Sequence, residues 1–248
     1  MPSNTETPAC RGPLERFATE WSIAGFYDGI FNFYETANSL LTLGLDRFWR
    51  RKAAETLKRL SPEASTALDV CAGTGDFSLI LHKTYSGALK VIGTDLNRAM
   101  LAKARAKTKK IEFMEAEAKS QPFADGAFDL LTISFAMRNL NIDRARLLEA
   151  LKEFRRTLKE GGVFMSLETT KPKNPVINLS FRTYAKAAIG FLNIIASGSR
   201  PSYTFLKTTI LDFYGADEFS ALLLESGFKN PAYKILFPGA TAIHTAVK

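Results

Sequence analysis

Apolar and polar positions along the 248-residue chain change their rhythm near position 65. Before it, from Ile23 to about Leu60, apolar residues recur every three to four positions, which places them on one helical face, and Pro62 ends the last such stretch. After it, short β-prone runs alternate with helical ones. Ala67–Cys71 leads into a helix over Asp76–Lys83, Lys90–Thr94 into one over Arg98–Lys109, and Ile111–Glu115 into a loop around Pro122. Phe128–Ser134 precedes a helix over Ile142–Leu158, and Gly162–Leu167 closes the series. This alternation predicts βα units, hence an α/β fold built on a doubly wound, mostly parallel sheet with helices on both faces. A helix over Ala216–Gly227 and strands over Ala232–Phe237 and Ala240–Ala246 add a terminal antiparallel strand pair at the sheet edge. The organisation is a lead-in over residues 1–22, expected to be flexible, followed by one domain over 23–248. That domain starts with helices over 23–60 and carries a helical insertion over 171–210.

Composition removes several alternatives. A hydrophobic content of 46% in a 27.4 kDa chain is that of an ordinary folded protein, and no metal staple is needed to hold a core of this size. Cys10 and Cys71 form no disulfide framework, and His82 and His244 are too few and too far apart for a zinc site, so no metal is expected. The N-terminal MPSNTETPACRGPLER has no secretory pattern, and the apolar run from Ala185 to Ala196 is broken by Lys186, Gly190 and Asn193. A reducing, cytoplasmic setting follows as the expectation, either free or peripheral on the inner face of a membrane. The net charge of +8 favours an anionic partner, nucleic acid or an acidic lipid surface. Between Glu168 and Asp212 there is no acidic residue, while Lys171, Lys173, Arg182, Lys186, Arg200 and Lys207 fall there among Phe181, Tyr184, Phe191 and Tyr203.

The first chemical motif is Asp69-Val70-Cys71-Ala72-Gly73-Thr74-Gly75-Asp76, an apolar strand ending in a tight glycine turn that opens a helix. Glycine lets the backbone turn sharply and approach a ligand with no Cβ in the way. Asp95 stands twenty residues beyond Gly75 at the end of the next strand, the separation at which a carboxylate accepts hydrogen bonds from a ribose. Ser78 occupies the place where dinucleotide sites carry a third glycine, and Asp69 suits a cationic ligand better than a pyrophosphate. S-adenosylmethionine fits both features. Glu117 and Ala118 after the third strand, the first able to accept from an adenine amino group, and Ser134 after the fourth complete the expected cofactor set of Asp69, Gly73, Thr74, Gly75, Asp95, Glu117, Ala118 and Ser134.

Longer motifs carry a resemblance. Tyr34-Glu35-Thr36-Ala37-Asn38 with Gly44, Asp46 and Trp49-Arg50-Arg51, the glycine motif, and Glu115 to Phe123 follow one family's pattern in order. So do Phe135-Ala136-Met137-Arg138-Asn139, the run from Arg156 to Gly162, Leu167-Glu168-Thr169-Thr170-Lys171-Pro172, and Pro238 to His244. From Tyr27 onward the chain resembles the ubiquinone/menaquinone biosynthesis C-methyltransferases, above all the demethylmenaquinone branch. It departs at Glu35, Glu117, Glu160, Thr169 and Tyr214, which leaves another phenolic or lipid acceptor open. The resemblance implies a class I, Rossmann-like methyltransferase that uses S-adenosylmethionine, releases S-adenosylhomocysteine, and methylates a ring carbon of a lipophilic, polyprenylated hydroquinone without a metal.

For the acceptor side, Asp76 and Arg138 are the expected catalytic residues, directly or through a water, with Asn139 orienting the pair. An ion pair from Arg138 to Asp76 or Asp143 is an equally open reading. His244 reads as a satisfied, partly buried histidine, His82 as a surface residue and Cys71 as a small core residue. Phe181, Tyr184, Ile189, Phe191, Leu192, Ile194 and Ile195 either line a channel for a prenyl tail or belong to ordinary core helices, with the neighbouring lysines facing anionic headgroups or water. Nucleic acid is not the expected substrate, because neither an Asn/Asp-Pro-Pro-Tyr motif nor a Pro-Cys nucleophile is present. A non-catalytic cofactor-binding protein is a further reading, which Asp76, Arg138 and Asn139 argue against. Oligomeric state is open, a homodimer included.

Overall fold

The computed structural model describes residues 39–195 and 207–248. The expected lead-in, the helical stretch before residue 39, Tyr34–Asn38, Cys10, Arg200 and Tyr203 lie outside the described residues. Within them the chain runs α1 (Asp46–Leu60), β1 (Thr66–Val70), α2 (Asp76–Thr84), β2 (Lys90–Asp95), α3 (Arg98–Lys107), β3 (Glu112–Glu115) and β4 (Phe128–Ser134). It continues through α4 (Met137–Leu140), α5 (Arg144–Thr157), β5 (Leu158–Thr169), α6 (Pro175–Ile195), α7 (Ala216–Glu225), β6 (Lys229–Leu236) and β7 (Thr241–Val247). Every βα unit and terminal element expected after residue 65 is present, and the described part of the helical insertion expected over 171–210 holds α6. The one-turn helix α4 was not foreseen, since four residues are too few for a periodicity to show, and β5 begins at Leu158, inside the stretch expected to be helical.

The seven strands pair in the order β3-β2-β1-β4-β5-β7-β6, parallel except for β7, which runs antiparallel to both neighbours. The chain leaves β1 toward β2 on one side and returns to β4 on the other. The reversal opens a crevice beyond the carboxyl ends of β1 and β4, where open α/β sheets bind ligands.

Strand alternation sorts side chains between two cores. Ala67, Leu130, Met165 and Leu167 face α1, α2 and α3, packing with Trp49, Leu57, Phe77, Leu81 and Leu101. Leu68, Leu131, Ile133 and Phe164 face α5 and α7, packing with Leu151, Phe154, Phe219 and Leu222. Apolar burial on both faces of the central strands is why they read as continuous hydrophobic runs.

At the opposite, amino end of the strands, Asp129 ties β1 to β4. Its Oδ2 accepts from the Ser65 and Thr66 backbone N–H groups at 3.0 and 2.9 Å and from both hydroxyls, and Oδ1 accepts from Lys159 Nζ at 2.6 Å. Burial alone would raise this carboxyl's pKa, but the Lys159 ammonium and the Ser65 and Thr66 donors outweigh it and hold the group well below the usual carboxylate range. The ionised form therefore stabilises the fold above the unfolded-state pKa of about 4, and that contribution fades as pH falls below it. We expect Asp129→Asn to lower the melting temperature by a few degrees at pH 7, with the gap to the parent chain closing below pH ~4. A gap that stayed constant across a melting series from pH 3 to 8 would contradict this.

Candidate active site

The crevice is built by the loop after β1. Gly73 and Gly75 hold φ values of +56° and +77°, the left-handed region that glycine enters without strain. They do so for different reasons. A Cβ on Gly75 would lie 2.7 Å from the Phe113 ring, so close packing excludes a side chain there, whereas a Cβ on Gly73 would meet nothing within 4 Å. Gly73 thus presents bare backbone to an open space. Its N–H donates to Asp95 Oδ2 at 2.8 Å, and Asp95 Oδ1 accepts from the Asn97 N–H at 2.8 Å, which fixes the carboxylate beside the turn. Burial raises the Asp95 pKa, partly offset by these N–H donors.

A cavity opens from this turn. Its walls include Gly73, Asp95, Glu117, Ala118, Ser134 and Asn139, so five of the eight expected cofactor residues meet there with one expected catalytic residue. Leu96, Met100, Ala116 and Leu140 add an apolar slot in which a flat base fits. Cys71 also lines it, at φ +54°, half-buried rather than enclosed in the core. Burial and the charges of Asp95 and Asp69 push its thiol pKa up, which leaves it protonated and unreactive.

The remaining expected residues sit elsewhere. Thr74 is buried behind the turn and donates to Asp76 Oδ2 at 3.1 Å, while Lys107 Nζ holds Asp76 Oδ1 at 2.8 Å. Asp69 is 1% exposed and accepts from Ser78 Oγ and, at 2.8 Å, from Thr132 Oγ1. Burial raises its pKa to about 6 against the pull of those two hydroxyls and of the Arg50 charge. Asp69 therefore braces β1, β4 and α2 from below the crevice, and Ser78 stands in the third-glycine position as its partner.

A second cavity lies across Phe135 from the first. Phe135 lines both, and the second is otherwise walled by Leu41, Leu43, Trp49, Arg138, Thr169, Phe181, Tyr184 and Pro238 among others. Arg138 and Asn139, adjacent in α4, consequently serve opposite cavities. The Arg138 side chain pairs with Glu168, not with Asp76 or Asp143. Nη1 donates to Glu168 Oε1 at 2.7 Å, with the two side chains 8% and 1% exposed. Asp143 caps α5 by accepting from the Arg146 N–H at 2.8 Å. Glu168 stands in the Leu167–Pro172 run, but a partner thirty residues away is set by the parallel pairing of β4 and β5, which no local pattern reveals.

The sequence profile described as the ubiE/COQ5 methyltransferase family matches residues 16–248. The chain belongs to this family. It is 32% identical to the demethylmenaquinone methyltransferase of Staphylococcus carnosus over 90% of its own length and 91% of the relative's. Identity to the ubiquinone/menaquinone biosynthesis C-methyltransferase UbiE of Rickettsia prowazekii is also 32%, over 92% and 93% of the two chains. The demethylmenaquinone methyltransferase of Thermus thermophilus is 35% identical over 85% of this chain and 94% of its own. Among solved structures, a SAM-dependent methyltransferase of Thermotoga maritima superposes with a TM-score of 0.64 at 18% identity, over 90% of this chain and 98% of its own. The chain is thus a methyltransferase of the expected class I fold. The bare Gly73 backbone, the Asp95 carboxylate and the apolar slot fit the ribose and base of S-adenosylmethionine.

The remaining sequence expectations divide. His244 is 2% exposed, its Nε2 lies 3.1 Å from the Ala216 carbonyl, and burial lowers its pKa to about 4, so it is neutral and structural. His82 is not a plain surface residue. It is half-buried, with Nδ1 3.1 Å from the Leu89 carbonyl. If Asp95 grips the donor ribose, Asp95→Ala should weaken S-adenosylhomocysteine binding about 10- to 100-fold, the loss of charged hydrogen bonds. Calorimetric titration giving an unchanged Kd would remove Asp95 from the donor site.

Proposed function

We propose that the chain transfers a methyl group from S-adenosylmethionine to a ring carbon of a polyprenylated hydroquinone, demethylmenaquinol or the equivalent ubiquinol precursor. The observation that carries this reading is the second cavity, apolar along most of its wall, with Arg138 of the buried Arg138–Glu168 pair lining it and Phe135 shared with the donor cavity. The names of the relatives point to the same substrate class. S-adenosylmethionine, when bound, supplies an electrophilic methyl whose bond to sulfur breaks as the ring carbon takes it, leaving S-adenosylhomocysteine; the ring carbon then loses its proton.

What the protein contributes is alignment and charge. An aromatic carbon becomes nucleophilic as the neighbouring hydroxyl passes its proton to water, which also takes the proton the methylated ring carbon releases, and a fixed cation in an apolar cavity stabilises the phenolate that develops. Arg138 supplies that cation and stays charged throughout. Glu168 accepts from the Arg138 guanidinium and backbone N–H, and from the Thr169 N–H at 2.8 Å, so its lone pairs are committed to holding Arg138 in place. Asn139, on the donor side of the same turn, couples the position of one substrate to the other. Asp76, committed to Thr74 and Lys107, orders the glycine turn in this account.

A lipophilic acceptor also needs a way in, and the face around the second cavity favours entry from an anionic membrane surface. Leu43, which lines it, and Phe237, next to Pro238 of its wall, are 63% and 78% exposed, and Val176 and Leu179 on α6 are 71% and 69% exposed. Phe181 and Tyr184 of the expected channel line the cavity, Ile189 and Leu192 pack into the core, and the side chains of Ile194 and Ile195 lie outside the described set. Lys171, Lys186 and Lys207 are exposed, whereas Lys173 pairs with Asp217 at 2.6 Å and Arg182 turns to the Leu211 carbonyl. Among the described residues no helix is long and apolar enough to cross a membrane, so contact would be peripheral.

Two measurements test this reading. Incubation with methyl-labelled S-adenosylmethionine and a short-chain demethylmenaquinol should place label on the quinol ring, and Arg138→Lys should lower kcat at least tenfold at unchanged S-adenosylhomocysteine affinity. Donor binding with no labelled quinol would send the chemistry to another phenol. In flotation, the protein should rise with phosphatidylglycerol vesicles at low salt and lose most binding by 0.5 M salt, as screening at about 4 Å requires. No flotation at any salt concentration would end the membrane reading.

A further inference from the structure

Two neighbouring side chains of α1, Trp49 and Arg50, contact Phe135, which lines both cavities. Trp49 donates its indole N–H to the Phe237 carbonyl at 2.9 Å, anchoring α1 to the turn between β6 and β7, and its ring centroid lies 6.1 Å from that of Phe135. Arg50, the next residue, is 6% exposed, and its guanidinium does three things at once. Nη1 pairs with Asp46 one helical turn earlier, Nε donates to Ser134 Oγ at 3.4 Å, and the cationic carbon sits 5.4 Å from the Phe135 ring centroid. That distance lies within the range of a cation–π contact.

Stability does not account for this arrangement. A buried ion pair repays its desolvation poorly, and apolar residues of similar volume commonly hold a fold as well or better. The pair is also placed against a costly piece of backbone. Phe135 adopts φ +56°, a region that bulky residues rarely enter, and its N–H is held by the Leu167 carbonyl at 2.7 Å. Ser134 lines the donor cavity and Phe135 lines both, so whatever fixes these two residues fixes the separation and angle of donor and acceptor. Lysine could carry the charge but not the planar fork that meets Asp46, Ser134 and the ring together.

We propose that Arg50 is a positioning residue for methyl transfer, acting through Ser134 and Phe135 to keep the partition between the donor and acceptor cavities in register. It touches neither substrate. The inference rests on the assignment of the two cavities to donor and acceptor, and it predicts a loss in alignment, not in affinity.

Arg50→Met alone would remove the cation paired with a buried Asp46, so the decisive variant is the double replacement Asp46→Asn/Arg50→Met, with Arg50→Lys beside it. In the double variant, S-adenosylhomocysteine should bind within about threefold of the parent Kd, while kcat toward a short-chain demethylmenaquinol falls roughly 100-fold, the cost of a misplacement near 1 Å. Arg50→Lys should recover only part of that loss. A crystal structure of the double variant with S-adenosylhomocysteine should show the Phe135 ring displaced. An unmoved Phe135 with unchanged kcat would overturn the proposal, as would a loss explained wholly by weaker S-adenosylhomocysteine binding. If the parent protein methylates no quinol, the acceptor assignment fails, and Phe135 in the bound variant still decides the role of Arg50.

Discussion

Phe135 is the point on which the site depends. It follows the last residue of β4 in a left-handed backbone conformation, with its N–H bound to the Leu167 carbonyl and its ring against Trp49 and Arg50. That conformation turns the chain sharply enough for α4 to start two residues later, which places Arg138 in one cavity and Asn139 in the other. A relaxed, extended residue here would carry the chain onward along the strand direction. A methyl transfer between two bound molecules asks for little covalent participation by the protein and for close control of geometry, and in the proposed mechanism the strained turn with its buried charge supplies that control.

Much of the first cavity's wall was legible because its determinants are local. The glycine turn needs two residues able to adopt positive φ, a strand before and a helix after, and Asp95 must close the next strand; each is a matter of spacing within one βα unit. The same holds for the sheet, whose buried central strands and half-buried helices leave distinct periods in the sequence. Asp69 was harder. A carboxylate at a strand end looks the same whether it faces a ligand or, as here, Ser78 and Thr132 inside the sheet.

The second cavity was less legible because its contacts are long-range. Arg138 and Glu168 meet because β4 and β5 are parallel neighbours, and Arg50 reaches Ser134 because α1 packs over the carboxyl end of the sheet. The spacing of Asp46 and Arg50 shows a helical pair, but not that the pair is buried or what its free edge touches. The short α4 and the half-buried His82 escaped for related reasons, one too brief to show a period and the other engaged by a carbonyl beyond its helix.

The central claim is that donor and acceptor occupy two cavities that meet at Phe135. A crystal structure with S-adenosylhomocysteine and a short-chain demethylmenaquinol bound together measures this directly. The account predicts the sulfur beside Gly73 and Asp95, the quinol ring beside Arg138, and the reacting carbon facing the sulfur across the edge of Phe135 with room for one methyl group between them. A quinol ring bound away from Arg138, or facing a part of the donor other than its sulfur, would contradict it.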